Sequence, residues 1–169
     1  MIFALQRQEM NKYPIRLTQL VHENLSVIMS VAYSRAPLIE LMQKNFVGEW
    51  KYLGKAIFEV GEERANRAIT ELALLLRILD DEERITDYHK QIGTHWKCGS
   101  LVLENDERVD LSFREFSNKV IHAKTFKWEY SVGVPPRLKC YARDDDHRKW
   151  KLAEVDLVGL AGFCGQFMS

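Results

Sequence analysis

Arg114, Asn118 and His122 recur every four residues within LSFREFSNKVIHAKT, residues 111–125. On a helix that spacing stacks the three side chains on one face. A guanidinium, an amide and an imidazole in a row can bind a phosphate or do acid/base work, the imidazole taking or giving the proton. An ordinary solvated helix face has the same make-up, so the row defines a candidate and not a site.

A second group lies along RLKCYAR, where Arg137, Lys139, Tyr141 and Arg143 alternate. Alternate residues of a strand share a face. Cations flanking an aromatic suit a surface that tracks a phosphate backbone and stacks a base. Lysine and arginine on a strand also discourage edge-to-edge pairing, which needs no ligand. Lys119 falls between Asn118 and His122 and joins the candidate nucleic-acid contacts. Residues 114–151 hold ten Lys/Arg against five Asp/Glu, although the whole chain carries 24 of each sign. The zero net charge therefore hides a local basic stretch, and it gives no global signature of a nucleic-acid binder.

Other chemistry finds little support. His95 and Cys98 have an H-x-x-C spacing that zinc tolerates, and His89 and Cys140 could complete a set. No paired C-x-x-C accompanies them, and the residues fall on separate elements, so no metal is expected. Asp144, Asp145, Asp146 and His147 could hold Mg²⁺, but neighbouring carboxylates in a polar loop usually face water. Gly159, Gly162 and Gly165 lack the dinucleotide-loop spacing, and no G-x-S-x-G, Walker A or H-E-x-x-H string is present. No cofactor is expected.

The elements that must position these residues follow from periodicity. Ser112 and Glu115 fit a capping box, so a helix should start near Ser112. Phe113, Phe116 and Val120 then share one side and point inward, leaving Arg114, Asn118 and His122 roughly opposite, at least partly exposed. Upstream, Pro14 suits the entry to a helix over about 16–34, with Leu17, Val21, Leu25, Ile28 and Ala32 on one face. Pro37 should end it and start another segment carrying Ile39, Met42, Phe46, Trp50, Leu53 and Ile57, stopped at Gly61. Gly48 and Gly54 suggest a kink or a close helix contact. Residues 62–90 read as one helix with a wide apolar stripe, Ala65 to Leu79, broadened by Leu74 and Ile78 and so covered from more than one side. The run Asp80–Glu83 is either solvated or a break in that helix.

After Gly93 the period changes. Residues 101–104 and 108–111 flank Asn105-Asp106 as a hairpin. Phe126, Trp128, Tyr130 and Val132 alternate with polar residues in a strand with one buried face. Leu138, Cys140 and Ala142 repeat that pattern beyond a Pro-containing turn, and 150–155 form a further strand. The tail from Asp156 is apolar but glycine-interrupted. The fold class is therefore α+β: a mainly helical part over about 1–92, then a helix and a small antiparallel sheet over about 93–169, in one domain.

The NKVIH string, Asn118 to His122, resembles the Asn-x-x-x-His core of HEPN-type helical domains. These are small bundles found in RNases, toxins and nucleotidyltransferase partners. Ser117 stands where that family usually carries Arg, and Arg114 is the nearest upstream Arg, with seven residues between it and His122. The chain is also similar to uncharacterised bacterial proteins with an LLRILDD-like helix, an NKIIHA-like string and a C-terminal strand pair. The first resemblance implies metal-independent chemistry. His122 would serve as general acid or base on a ribose 2′-hydroxyl or the leaving oxygen, Arg114 or Lys119 would stabilise the phosphorane-like charge, and Asn118 would orient the imidazole or the phosphate.

Two functions fit these residues. One is a non-enzymatic interaction module of a bacterial type or a degenerate HEPN-like RNA binder. The other is a metal-independent endoribonuclease or toxin. Partners would be RNA, another protein or a second copy of the chain. Three widely spaced cysteines, a weak signal peptide and no long uninterrupted apolar run favour reduced thiols, a cytoplasmic location and no membrane.

Overall fold

The computed structural model describes residues 16–45, 48, 51–93, 95–131, 133–144 and 149–166. Pro14, Phe46, Trp50, Val132, Asp145, Asp146 and His147, invoked above, lie outside them. The chain is α+β, with long helices first and a five-stranded antiparallel sheet in the C-terminal part.

Two helices dominate the first half, α1 over Leu17–Asn45 and α2 over Lys51–Glu83. They pack along one another. Pro37 lies inside α1 and does not end it. The carbonyl it leaves unpaired, that of Tyr33, belongs to a residue 44% exposed, where water can take the bond. Gly61 likewise lies inside α2 and does not stop it. The helix partner overrides the local propensity, because Gly54 lets α1 approach closely: a methyl group there would sit 2.6 Å from Met42 Cε. By length and composition alone α1 is long and apolar enough to cross a membrane. In this fold its Val21, Ile28 and Ala32 are packed into the core.

α2 breaks at the acidic run. Arg84 takes a left-handed conformation, φ 52°, and a short helix α3 follows over Ile85–Gln91. The solvated reading of Asp80–Glu83 fails at Asp80, which is buried. Its carboxylate accepts from Thr86 N at 2.8 Å and Thr86 Oγ1 at 3.0 Å, and so receives the first turn of α3.

The sheet follows the expected order of elements: β1 (Lys97–Leu103), β2 (Arg108–Ser112), α4 (Phe113–His122), β3 (Thr125–Ser131), β4 (Val134–Tyr141), β5 (Trp150–Asp156) and α5 (Leu157–Gly165). Strand order across the sheet is β2-β1-β5-β4-β3, every pair antiparallel. Asn105-Asp106 turns the β1–β2 hairpin, with Asp106 at φ 64°. The ambiguous tail is helical, because Asp156 caps it by accepting from Val158 N at 3.0 Å and the Trp96 indole N–H donates to the Gly159 carbonyl at 2.8 Å.

One face of the sheet is the core. Leu101, Leu138, Cys140, Ala153, Val155 and Trp128 are buried there, and α1, α4 and α5 pack against the strands. Fully burying a Leu or Phe such as Leu138 or Phe116 stabilises the fold by about 1.5–3 kcal/mol. Phe113 of α4 stacks on Phe163 of α5 at 4.5 Å between centroids. Trp128 of β3 donates its indole N–H to Asn66 Oδ1 of α2 at 2.8 Å, tying sheet to helix. The other set of alternating residues, including Ser100, Lys127, Lys139 and Glu154, faces away from the helices.

Candidate functional site

α4 forms as its sequence requires. Ser112 Oγ accepts from Glu115 N at 3.3 Å, and Glu115 Oε2 accepts from Ser112 N at 3.3 Å, the reciprocal capping box. Phe113, Phe116 and Val120 are buried, and His122 is exposed. Ser117, the position at which the resembled family carries Arg, is also fully buried and donates to the Phe113 carbonyl at 3.2 Å. That position faces the core.

Arg114 is committed elsewhere. Its Nη1 lies 2.6 Å from Asp80 Oδ2 and 2.7 Å from Asp81 Oδ1. The hydrogen bond from Arg114 holds the Asp81 carboxyl below the usual carboxylate range, against a smaller opposing effect of burial. The guanidinium is raised in turn, first by the hydrogen bond to Asp81. Arg114 therefore ties α4 to the end of α2. His122 lies eight positions further along the helix, a rise of about 12 Å.

Asn118 is half-buried and His122 exposed, and among the described residues neither side chain makes a hydrogen bond. The structural alternative for them, bonds to the strand at Phe126, is not formed there. Lys119 places its Nζ 5.0 Å from the Trp150 ring centroid, a cation–π contact over the buried start of β5.

The C-terminal end of β4 adjoins the end of α4, since Lys124 N donates to the Tyr141 carbonyl at 2.8 Å. The fold thus sets the Tyr141 backbone beside the residues that follow α4. The cationic strand itself is partly neutralised. Lys139 Nζ lies 2.8 Å from Glu129 and 3.5 Å from Glu154, and the Glu129 hydrogen bond raises its pKa. Burial alone would raise Glu154, but Arg108, 2.6 Å away, together with Lys139 holds it below its ordinary value. Lys124 pairs with Asp144 at 2.9 Å and Lys151 with Asp106 at 2.8 Å. Arg137, Tyr141 and Arg143 keep open positions: both arginines are exposed and the tyrosine is half-buried.

The thiols offer no reactive centre. Cys98, Cys140 and Cys164 are free and buried, and burial pushes each up to about 12. No group of three His, Cys, Asp or Glu that could hold a metal occurs among the described residues.

Sequence reasoning missed Asp80, Thr86 and Glu154, the anchors of the two polar networks. The acidic run was visible, but nothing local distinguished Asp80 from its neighbours. Comparison with family models, with curated proteins and with solved structures yields no match.

Proposed function

We propose that this chain is a non-enzymatic interaction module of a bacterial type, working in the cytoplasm, whose surface around Asn118, His122 and the end of β4 receives a partner. The observation that carries this reading is the capture of Arg114 by Asp80 and Asp81, about 12 Å along the helix from His122. A cation engaged by two carboxylates has little charge left for a transition state. The bacterial assignment rests on the NKIIHA-like resemblance alone.

A degenerate HEPN-like RNA binder is the second reading. It is favoured by exposed Arg137 and Arg143 beside Tyr141, which could contact phosphates while the ring stacks a base. The enzymatic alternative retains His122 as general acid/base without a metal.

The test is cleavage of labelled RNA by purified protein in EDTA, with His122→Ala alongside. The interaction reading expects no cleavage by either protein and an unchanged melting temperature, because His122 lies at an exposed helix end. Metal-independent cleavage that drops by roughly 10²–10⁴-fold in His122→Ala would instead make the protein an RNase.

A further inference from the structure

Arg35 of α1 carries a charge that the fold leaves unmatched. Its guanidinium carbon lies 3.9 Å from the Phe58 ring centroid and 5.1 Å from that of Tyr130, held between α2 and β3 by two cation–π contacts. Its Nε is sealed from water and has no acceptor. Among the described residues the side chain makes no hydrogen bond and no ion pair. The phenol oxygen of Tyr130 is a second buried polar atom without a partner. Buried polar groups in folded proteins are nearly always paired, so two orphans on neighbouring side chains point to a missing polar partner.

Arg35 lines a cavity of about 230 Å³ between α1 and α2, together with Phe58, Glu59, Glu62, Glu63 and Asn66. The opposite charges around it do not meet. Lys55 takes Glu59 at 3.8 Å. Glu62 and Glu63 make neither a hydrogen bond nor an ion pair among the described residues. Asn66 Oδ1 already accepts from the Trp128 indole, leaving its amide N–H groups as donors. One wall thus offers a cation and the other two carboxylates. A lone anion would be opposed by Glu62 and Glu63, and a lone cation by Arg35. A molecule that carries both charges a short distance apart suits both walls. At roughly 30 Å³ per water the cavity holds about seven or eight waters, and so a ligand of about that many non-hydrogen atoms.

We propose that this cavity binds a free α-amino acid of small or medium size, its carboxylate on the Arg35 guanidinium and its ammonium on Glu62, with Glu63 at the rim. The guanidinium fork matches a carboxylate. Phe58 and Tyr130 already hold that fork in place, so little rotamer freedom is lost on binding. The cavity shares no residue with the surface around His122, and it stands whether or not that surface receives a partner.

Isothermal titration of the full chain with each common L-amino acid, up to about 10 mM, tests the proposal, and at least one should bind with a Kd of about 1 mM or below. Its N-acetyl and carboxamide derivatives each lack one charge and should bind roughly tenfold more weakly, or worse. Arg35→Gln and Glu62→Gln should each weaken binding by about tenfold or more. Glu62→Gln should leave the ligand-free melting temperature unchanged, because its carboxylate has no partner to lose. Absence of binding by every amino acid, or equal binding of the singly charged derivatives, would overturn the proposal. So would ligand-free melting temperatures that fall equally and without additivity in Arg35→Gln, Glu62→Gln and the double variant, since the two groups would then be each other's partner.

Discussion

Arg114 Nη1 and Asp80 Oδ2 lie 2.6 Å apart across 34 residues of sequence, fastening α4 to the end of α2. Asp80 receives Thr86 N, Thr86 Oγ1 and Arg114 on one buried carboxylate. It is at once the anchor of the α2–α3 break and the reason Arg114 is not free for a ligand.

Asp80→Ala should therefore destabilise the protein by about 2–4 kcal/mol, because a backbone N–H and a partly buried guanidinium lose their acceptor. Asp81→Ala should cost far less, its carboxylate being mostly in water. Urea denaturation of the two variants measures both. Equal losses would show that Asp80 is not the anchor.

Gly99 sits at the β1 irregularity with φ 143°, and a methyl group there would lie 2.0 Å from the Glu154 carbonyl oxygen. Gly99→Ala should lower stability by roughly 2 kcal/mol or more, through strain and a shifted β1–β5 register. Thermal unfolding reads the loss, and a stable variant would mean that the strands separate easily at this point.

Acid should weaken the fold in two stages. Burial lowers His89 below its usual value, with His95 adding to this and Asp80 opposing it. Just below about pH 6.5 the unfolded chain then binds more protons at this site, so stability falls as pH drops through that window. His89→Gln should flatten the urea midpoint below about pH 6.5. Asp81 and Glu154, both held low, contribute stability at neutral pH that is lost only below about pH 4.5, as they protonate.

If RNA binds at the open end of β4, affinity should fall steeply with salt, since phosphate neutralisation releases counterions. Arg137→Ala and Arg143→Ala should each weaken binding and reduce the salt slope by about one. Lys139→Ala should do less, because Glu129 and Glu154 already occupy its ammonium. Fluorescence anisotropy at several salt concentrations separates the three. Salt-independent binding would point away from this strand.

Much of this molecule was decided locally and was legible in the residues. The capping box at Ser112 and Glu115, the opposed faces of α4, the Asn105-Asp106 hairpin and the alternation in β3 and β4 all depend on neighbours a few positions away. The α+β class followed from the change of period after Gly93. Other features depended on partners distant in sequence. Pro37 and Gly61 should have ended helices, but packing between α1 and α2 outweighed what each residue costs alone. Asp80 looked like its acidic neighbours until Thr86 and Arg114 were brought around it. The candidate row on α4 was a statement about spacing, and spacing survived: the three residues do share a helix. What the tertiary structure decided was their availability, because whether a guanidinium is free depends on which carboxylates the fold sets beside it. No pattern within α4 contained that information.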